Sequence, residues 1–291
     1  MHIDKSSELI LNKDHSVYHL GLKNEDIANI IITVGDPERV EKFIPYFDTI
    51  ELQKFNREFH TITGWSQSKR ITVLSTGIGT DNIDIVFNEL NLLNKVDLKT
   101  RTLKSSSEKL KIVRIGTSGT LRSDVELGTY LMTEFAIGLE GLMHYYPVEK
   151  SDALKQQEKA IQDHLSSNFP FIKPYLIESS TENTKLFEDI CEKGVTATCQ
   201  GFYHPQSRFI FGNPNSYSIL EELIALENKG IRVSNFEMET SGILGLSKYF
   251  GFEASSISLI LANRMNNTFL DKVDEAMQSM IDTIWERILK L

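Results

Sequence analysis

The sequence predicts an α/β domain built on a mostly parallel or mixed central sheet. Three observations carry this. Short β-branched apolar runs alternate with segments of helical period. The first runs end in glycine-bearing segments, Gly35-Asp36-Pro37, Thr76-Gly77-Ile78-Gly79 and Gly116-Thr117-Ser118-Gly119. No internal repeat or long Pro/Gly/Ser-rich linker divides the 291 residues, so a single domain over 1–291 is expected. In such sheets ligands bind beyond the carboxyl ends of the strands.

The elements follow in order. Residues 27–34 (IANIIITV) read as a buried strand. Asp36 then suits an N-cap and Pro37 a first helical position, which predicts a helix over 37–47. A second strand at 71–75 leads to a helix from about residue 81, with Ile83, Phe87 and Leu90 on one face. A third strand at 111–115 is expected to end in a glycine-flanked turn holding Thr117. Strands are also predicted at 129–133, 195–199, 231–236 and 255–262, and helices at 218–228, 239–250 and 271–291. Gly230 and Gly251 stop two of the helices. The polar stretch 95–111 (KVDLKTRTLKSSSEKLK) reads as a surface loop or a charged helical excursion.

Composition removes several function classes. The chain carries 31 Lys+Arg against 40 Asp+Glu, and its 41% hydrophobic share is ample for a packed core. A net charge of −9 disfavours nucleic acid or an anionic membrane as the main partner. No apolar run approaches a bilayer span, and residues 1–14 lack the pattern of a signal peptide. Cys191 and Cys199 read as two reduced thiols of a cytoplasmic protein. The seven histidines form no metal or triad pattern, so no metal site is expected; His19 and His204 are the two to follow.

The unusual residues sit at strand ends. Gly35 offers a backbone N–H at a helix start, and Arg39 lies on that helix's first turn. Arg114 stands near the end of an apolar strand, where a guanidinium needs a partner, and Thr117 follows it. The four would make a phosphate cradle, since arginine forks match phosphate oxygens. The ordinary alternative is a capped helix, a surface Arg39, and Arg114 paired with a structural carboxylate. Glu237 and Glu239 flank Met238 at a strand-to-helix junction. Two residues apart in extended backbone, they face one side and suit the vicinal hydroxyls of a sugar. A glycosidase pair is disfavoured, because carboxyls on one side cannot flank a scissile bond. A solvated acidic helix start remains the plain alternative. In the loop GFYHPQSRF, Gln206 donates and accepts while Arg208 only donates, which suits an imide edge. Phe202 and Tyr203 can wall a flat ring or simply pack. The Gly77-Ile78-Gly79 turn lacks the third glycine of a dinucleotide fingerprint.

These segments resemble the nucleoside phosphorylase family. They are His19-Leu20-Gly21-Leu22, VGDPERVEKF (34–43), Asn56-Arg57-Glu58-Phe59, STGIG (75–79) with Glu89-Leu90, RIGTSGTL (114–121), FYHPQSR (202–208), NFEMET (235–240) and Asn263-Arg264. They run in family order from residue 17, leaving 1–16 as an extension. The resemblance implies a three-layer α/β/α fold with a mixed sheet. It implies phosphate binding by Gly35, Arg39, Arg114 and Thr117, with Arg57 reaching the same phosphate from a neighbouring subunit. Ribose falls to Glu237, Met238 and Glu239, with the neighbour's His19 at the 5′ end. The site is then shared, which makes at least a homodimer; family assemblies include dimers and trimers of dimers.

Purine-cleaving relatives carry an acid where Arg264 stands; Asn263-Arg264 matches the uridine-cleaving members instead. The base falls to Phe202, Gln206 and Arg208. Gln206, Arg208 and Arg264 are the expected catalytic groups, stabilising uracil as it leaves. The implied partners are uridine or uracil, phosphate and ribose 1-phosphate, with phosphate as co-substrate and no cofactor. The alternatives are a purine nucleoside phosphorylase, a water-using nucleosidase, or a catalytically silent nucleoside-binding protein. The chain departs from the family at Asp81-Asn82, where Pro-Ser is usual, at Pro205, where glycine is usual, and in the 95–111 insertion. Some bacterial relatives hold a monovalent cation near that turn and Glu58; Asn82 weighs against one here.

Overall fold

A computed structural model describes residue 3 and residues 6–212 and 217–291, the side chains of 181 and 183 excepted. Residues 1, 2, 4 and 5 of the N-terminal extension lie outside the described residues. The chain runs β1 (Ile30–Val34), α1 (Pro37–Glu41), β2 (Thr49–Asn56), β3 (Phe59–Ser66), β4 (Lys69–Ser75) and α2 (Thr80–Lys95). A small hairpin, β5 (Val96–Asp97) and β6 (Thr102–Leu103), precedes β7 (Lys111–Thr120) and β8 (Tyr130–Gly138). Then come α3 (Asp152–Leu165), β9 (Tyr175–Glu178), α4 (Thr181–Lys185), β10 (Glu192–Thr198), α5 (Ile219–Ala225) and β11 (Val233–Glu237). The chain finishes with α6 (Thr240–Phe250), β12 (Glu253–Asn263), β13 (Thr268–Phe269) and α7 (Val273–Ile288).

The sheet is mixed, as expected. One half is open: β2 and β3 pair antiparallel, β3 joins β4 antiparallel, and β4, β1 and β7 are parallel. The other half closes into a ring. β7 pairs with β12, β12 with β8, β8 with β10, β10 with β11, and β11 returns antiparallel to the far end of β7. β7 belongs to both halves.

Side-chain alternation sorts the layers. In β1, Ile31 packs with Phe87 and Leu90 of α2 and Ile243 of α6. Its neighbours Ile30, Ile32 and Val34 pack with Val40 of α1 and Met280, Ile281 and Ile284 of α7. One residue of slip would exchange these faces. Each fully buried isoleucine contributes about 1.5–3 kcal/mol, so the register is firmly set. A third cluster seats α3 and α5 against β10 and β11.

Three expectations are corrected. The helix predicted over 37–47 stops at Glu41 and resumes as a short 3-10 turn, Ile44–Tyr46. Pro45 lacks the N–H that a continuing helix needs. The predicted turn at 116–119 is part of β7, which runs on through Thr120 because β12 pairs with it along its length. The 95–111 stretch begins with the end of α2 and the β5–β6 hairpin, and only its second part, 104–109, is the exposed loop expected. The hairpin β2–β3 and helix α3 went unpredicted. Polar residues dominate α3, where only Leu154, Ile161 and Leu165 are buried.

Candidate active site

The carboxyl ends of β1, β4, β7 and β11 open onto a cleft of about 710 Å³. Gly35, Arg39, Arg114, Thr117, Phe202, Gln206, Arg208, Glu237, Met238 and Glu239 all line it. Sequence separation is thus converted into one concave surface by the sheet's parallel core.

At one end stands a pair of guanidiniums. Arg114 is buried, and its Nη2 reaches Glu239 Oε2 at 2.7 Å and Glu237 Oε2 at 3.1 Å. Burial works against its charge, but the two carboxylates outweigh burial and raise its pKa. The ordinary alternative for Arg114, a carboxylate pairing, is therefore present, on a guanidinium that also lines the cleft. Gly116 explains how it fits: a Cβ there would overlap the Arg114 guanidinium. The glycine signals clearance within a strand, not a turn. Arg39 Nη1 approaches Ile115 O at 3.4 Å. Burial, and then the neighbouring Arg114, lower its pKa. Two adjacent cations, one short of counter-charge, make a surface that gains from an anion. The helix behind Gly35 is only five residues long, and Asp36 already accepts from Glu38 N at 2.9 Å. Dipole assistance is therefore smaller than expected, and the arginines dominate.

The two glutamates divide their work. Glu237 Oε2 accepts from Glu239 N, Thr240 N and Thr240 Oγ1 at 2.8–2.9 Å, besides Arg114. Its Oε1 accepts from Thr198 at 2.5 Å. Glu237 caps α6 and braces its neighbours. Among the described residues, Glu239 accepts from Gly79 N at 2.7 Å and from Arg114, one on each oxygen, which leaves lone pairs for a ligand. Burial raises the Glu239 pKa; Arg114 opposes the shift and Glu237 adds to it. Both carboxylates are buried, so a solvated helix start is ruled out.

The other end is a loop. Arg208 Nη1 donates to Gln206 Oε1 at 2.6 Å and to Phe202 O at 2.7 Å, and its guanidinium lies 3.8 Å over the Phe202 ring. Burial, and then Arg264, lower its pKa to about 10. Gln206 is buried. Arg264 does not line the cleft. Its Nη1 and Nη2 donate to the carbonyls of Gln206 and Ser207 at 2.9 and 3.1 Å, bracing the loop from behind. Tyr203 stays outside, edge-on to Phe202, and His204 packs on Phe209 at a second cavity behind the loop.

His19 and Arg57 also lie outside the cleft, but together. Arg57 is exposed, with a left-handed φ of 56°, and stacks 4.9 Å over Tyr18. Glu89 accepts His19 N, Leu20 N and His19 Nδ1 at 2.7–2.8 Å. A carboxylate cannot donate, so Nδ1 is the donor in that contact. Sequence reasoning missed several contributors. Thr198 gave no motif, and Glu58 and Asn82 line the cleft although only the family pattern flags them. Asn82 lies where a Cβ on Gly77 would go. Among the described residues no cluster of three or more His, Cys, Asp or Glu is placed to hold a metal, and no helix is long and apolar enough to cross a membrane.

Comparison with known proteins agrees with this arrangement. The pattern of the phosphorylase superfamily matches residues 29–288. The chain belongs to that superfamily. It is 28% identical over 266 residues to a uridine phosphorylase of Thermococcus kodakarensis, covering 91% of this chain and 83% of the relative. A Trypanosoma brucei nucleoside phosphorylase, whose crystal structure is described as showing uridine phosphorylase activity, superposes with a TM-score of 0.83 at 29% identity. That match covers 97% of this chain and all (100%) of the other. A guanosine phosphorylase of Halorubrum lacusprofundi is 24% identical, covering 94% of this chain and 95% of the relative.

Proposed function

We propose that this phosphorylase is a pentosyltransferase that converts uridine and phosphate reversibly to uracil and ribose 1-phosphate. The observation that carries the reading is the Arg208–Gln206 contact. Arg208 can only donate, so the amide must turn Oε1 toward it. The loop then shows donor, acceptor, donor along Arg208, Oε1 and Nε2. The uracil edge shows the complement: O4, N3–H, O2. Cytosine mismatches at two positions, and guanine sets an amino donor against Nε2. A site built on such bonds rejects the wrong ligand by about 10⁴-fold.

Phosphate would be held by Gly35, Arg39, Arg114 and Thr117, and the ribose hydroxyls by Glu239, with Glu237 holding Glu239 in place and Met238 against the sugar. The glycosidic bond stretches first, and phosphate attacks C1′ from the face opposite the base. Negative charge collects on uracil, where Arg208 lacks a counter-charge and Gln206 completes the array. Arg264 acts through the loop as a positioning residue. The reaction needs no cofactor. Asn82 over Gly77 disfavours a monovalent cation. The placing of His19 and Arg57 together, outside their own cleft, supports a homodimer that lends both to the partner's site; a hexamer would repeat the same pairing. Two free, buried cysteines fit a cytoplasmic setting.

The test follows uracil release by absorbance, from uridine with and without phosphate, with inosine and guanosine in parallel. Phosphate-dependent release from uridine alone is expected. Cleavage of the purine nucleosides instead would overturn the base assignment, phosphate-independent release would mean hydrolysis, and no release would mean a binding protein.

A further inference from the structure

Two parts of the chain that depart from the family pattern, the N-terminal extension and the 95–111 insertion, pack on each other. Arg101, half-buried in the β5–β6 turn, donates from Nε to Ile3 O at 3.2 Å and from Nη2 to Leu9 O at 2.7 Å. Ile3 N returns a bond to Arg101 O at 2.9 Å. Leu9 is buried in the same cluster as Val96 and Leu98. The other end of the arm is gripped as well. Asn24 Nδ2 donates to Leu93 O and Val96 O at 2.7 and 2.6 Å, and Leu98 N donates to Asn24 Oδ1 at 3.2 Å.

His19 lies between these two grips. Leu11 bridges to Val17, Val17 N bonds Leu22 O, and Gly21 N bonds Val17 O. Asn12 Nδ2 ties the base of this turn to Val17 O at 2.9 Å. His19 is therefore the tip of a short loop whose flanks are both tied to the insertion.

We propose that the β5–β6 hairpin, through Arg101 and the carbonyls around Asn24, is a clamp that positions His19 and thereby sets preference for the nucleoside 5′-hydroxyl. This rests on the reading of His19 as the group meeting the 5′ end of the ribose. A guanidinium spanning two carbonyls fixes direction as well as distance. Without it, that flank keeps the Ile3 N–Arg101 O bond, the Asn12 tie and the burial of Leu9, and Glu89 still holds His19, so the fork adds direction to a loop that is already anchored.

The test uses Arg101→Asn, because asparagine tolerates the left-handed φ of 55° at this position while removing the fork. Arg101→Lys, which keeps the charge but not the fork, is the second variant, and melting temperature reports that each is folded. Hydrogen exchange at the His19 and Leu20 amides should quicken. kcat/KM should fall about five- to tenfold on uridine and hold on 5′-deoxyuridine, as loss of one positioned hydrogen bond implies. In a His19→Ala background the same change should cost nothing further. An equal loss on both nucleosides, or unchanged exchange at those amides, would overturn the clamp. A wild type indifferent to the 5′-hydroxyl would overturn its catalytic half. Failure of the wild type to cleave uridine at all would sink the functional reading itself.

Discussion

The two ends of the cleft are built on different principles. The phosphate end sits on β1, β7 and the start of α6, where Arg114 is buried and bonded to two carboxylates before any ligand arrives. The base end is a loop whose arginine rests on a half-exposed phenylalanine and is held from behind by a second arginine. At the first, the fold positions the charge; at the second, a few side chains position one another. On the proposed function, phosphate is held on the sheet and the base is chosen on the loop.

Removing Arg114 should break the comparison most severely. Arg114→Ala leaves two buried carboxylates without their cation, a loss of about 3–5 kcal/mol, and should lower kcat/KM by about 10³-fold or more. Calorimetry and the KM for phosphate check both effects. Gly116→Ala, which fills the guanidinium's space without touching its charge, should raise the phosphate KM in the same direction.

A cut at the base end should be cleaner. Arg208→Ala is expected to reduce uridine cleavage by about 10²–10³-fold while the phosphate KM stays near wild type. Steady-state kinetics in both substrates decides it, and a matched rise in the phosphate KM would show that the two ends are not separable. The smallest effect is expected from Arg264→Lys. It keeps the charge but cannot span the carbonyls of Gln206 and Ser207, so a loss of about tenfold on uridine is expected, with the melting temperature little changed.

The same division governs what the sequence revealed. The phosphate end was legible because strand, glycine and arginine lie within a few residues of each other. Gly116 was legible as a special position but misread, since clearance for a side chain two residues away leaves the same trace as a turn. Gln206 and Arg208 were visible as a pair. The brace from Arg264 was not, because it acts on backbone carbonyls about sixty residues earlier in the chain. Closure of the ring was also hidden: β7 meets β11 through only two residue pairs, too few to mark either strand. β2 escaped because its exposure runs between half-buried and exposed, with no buried apolar stripe to announce it; β3 is mostly buried but mixes His60, Thr61, Thr63 and Gly64 among its apolar residues.

β7 has one further consequence. It is the strand that the open sheet and the closed ring share, and it carries Arg114. On the proposed function, the base is chosen at the ring's rim loop, which Arg264 joins to β7 through Thr120 O. Drift in the sheet's twist, by contrast, reaches Arg114 at once. On the proposed function, a different base would thus call for a new loop, whereas giving up phosphate would call for a new β7, the strand that both halves share.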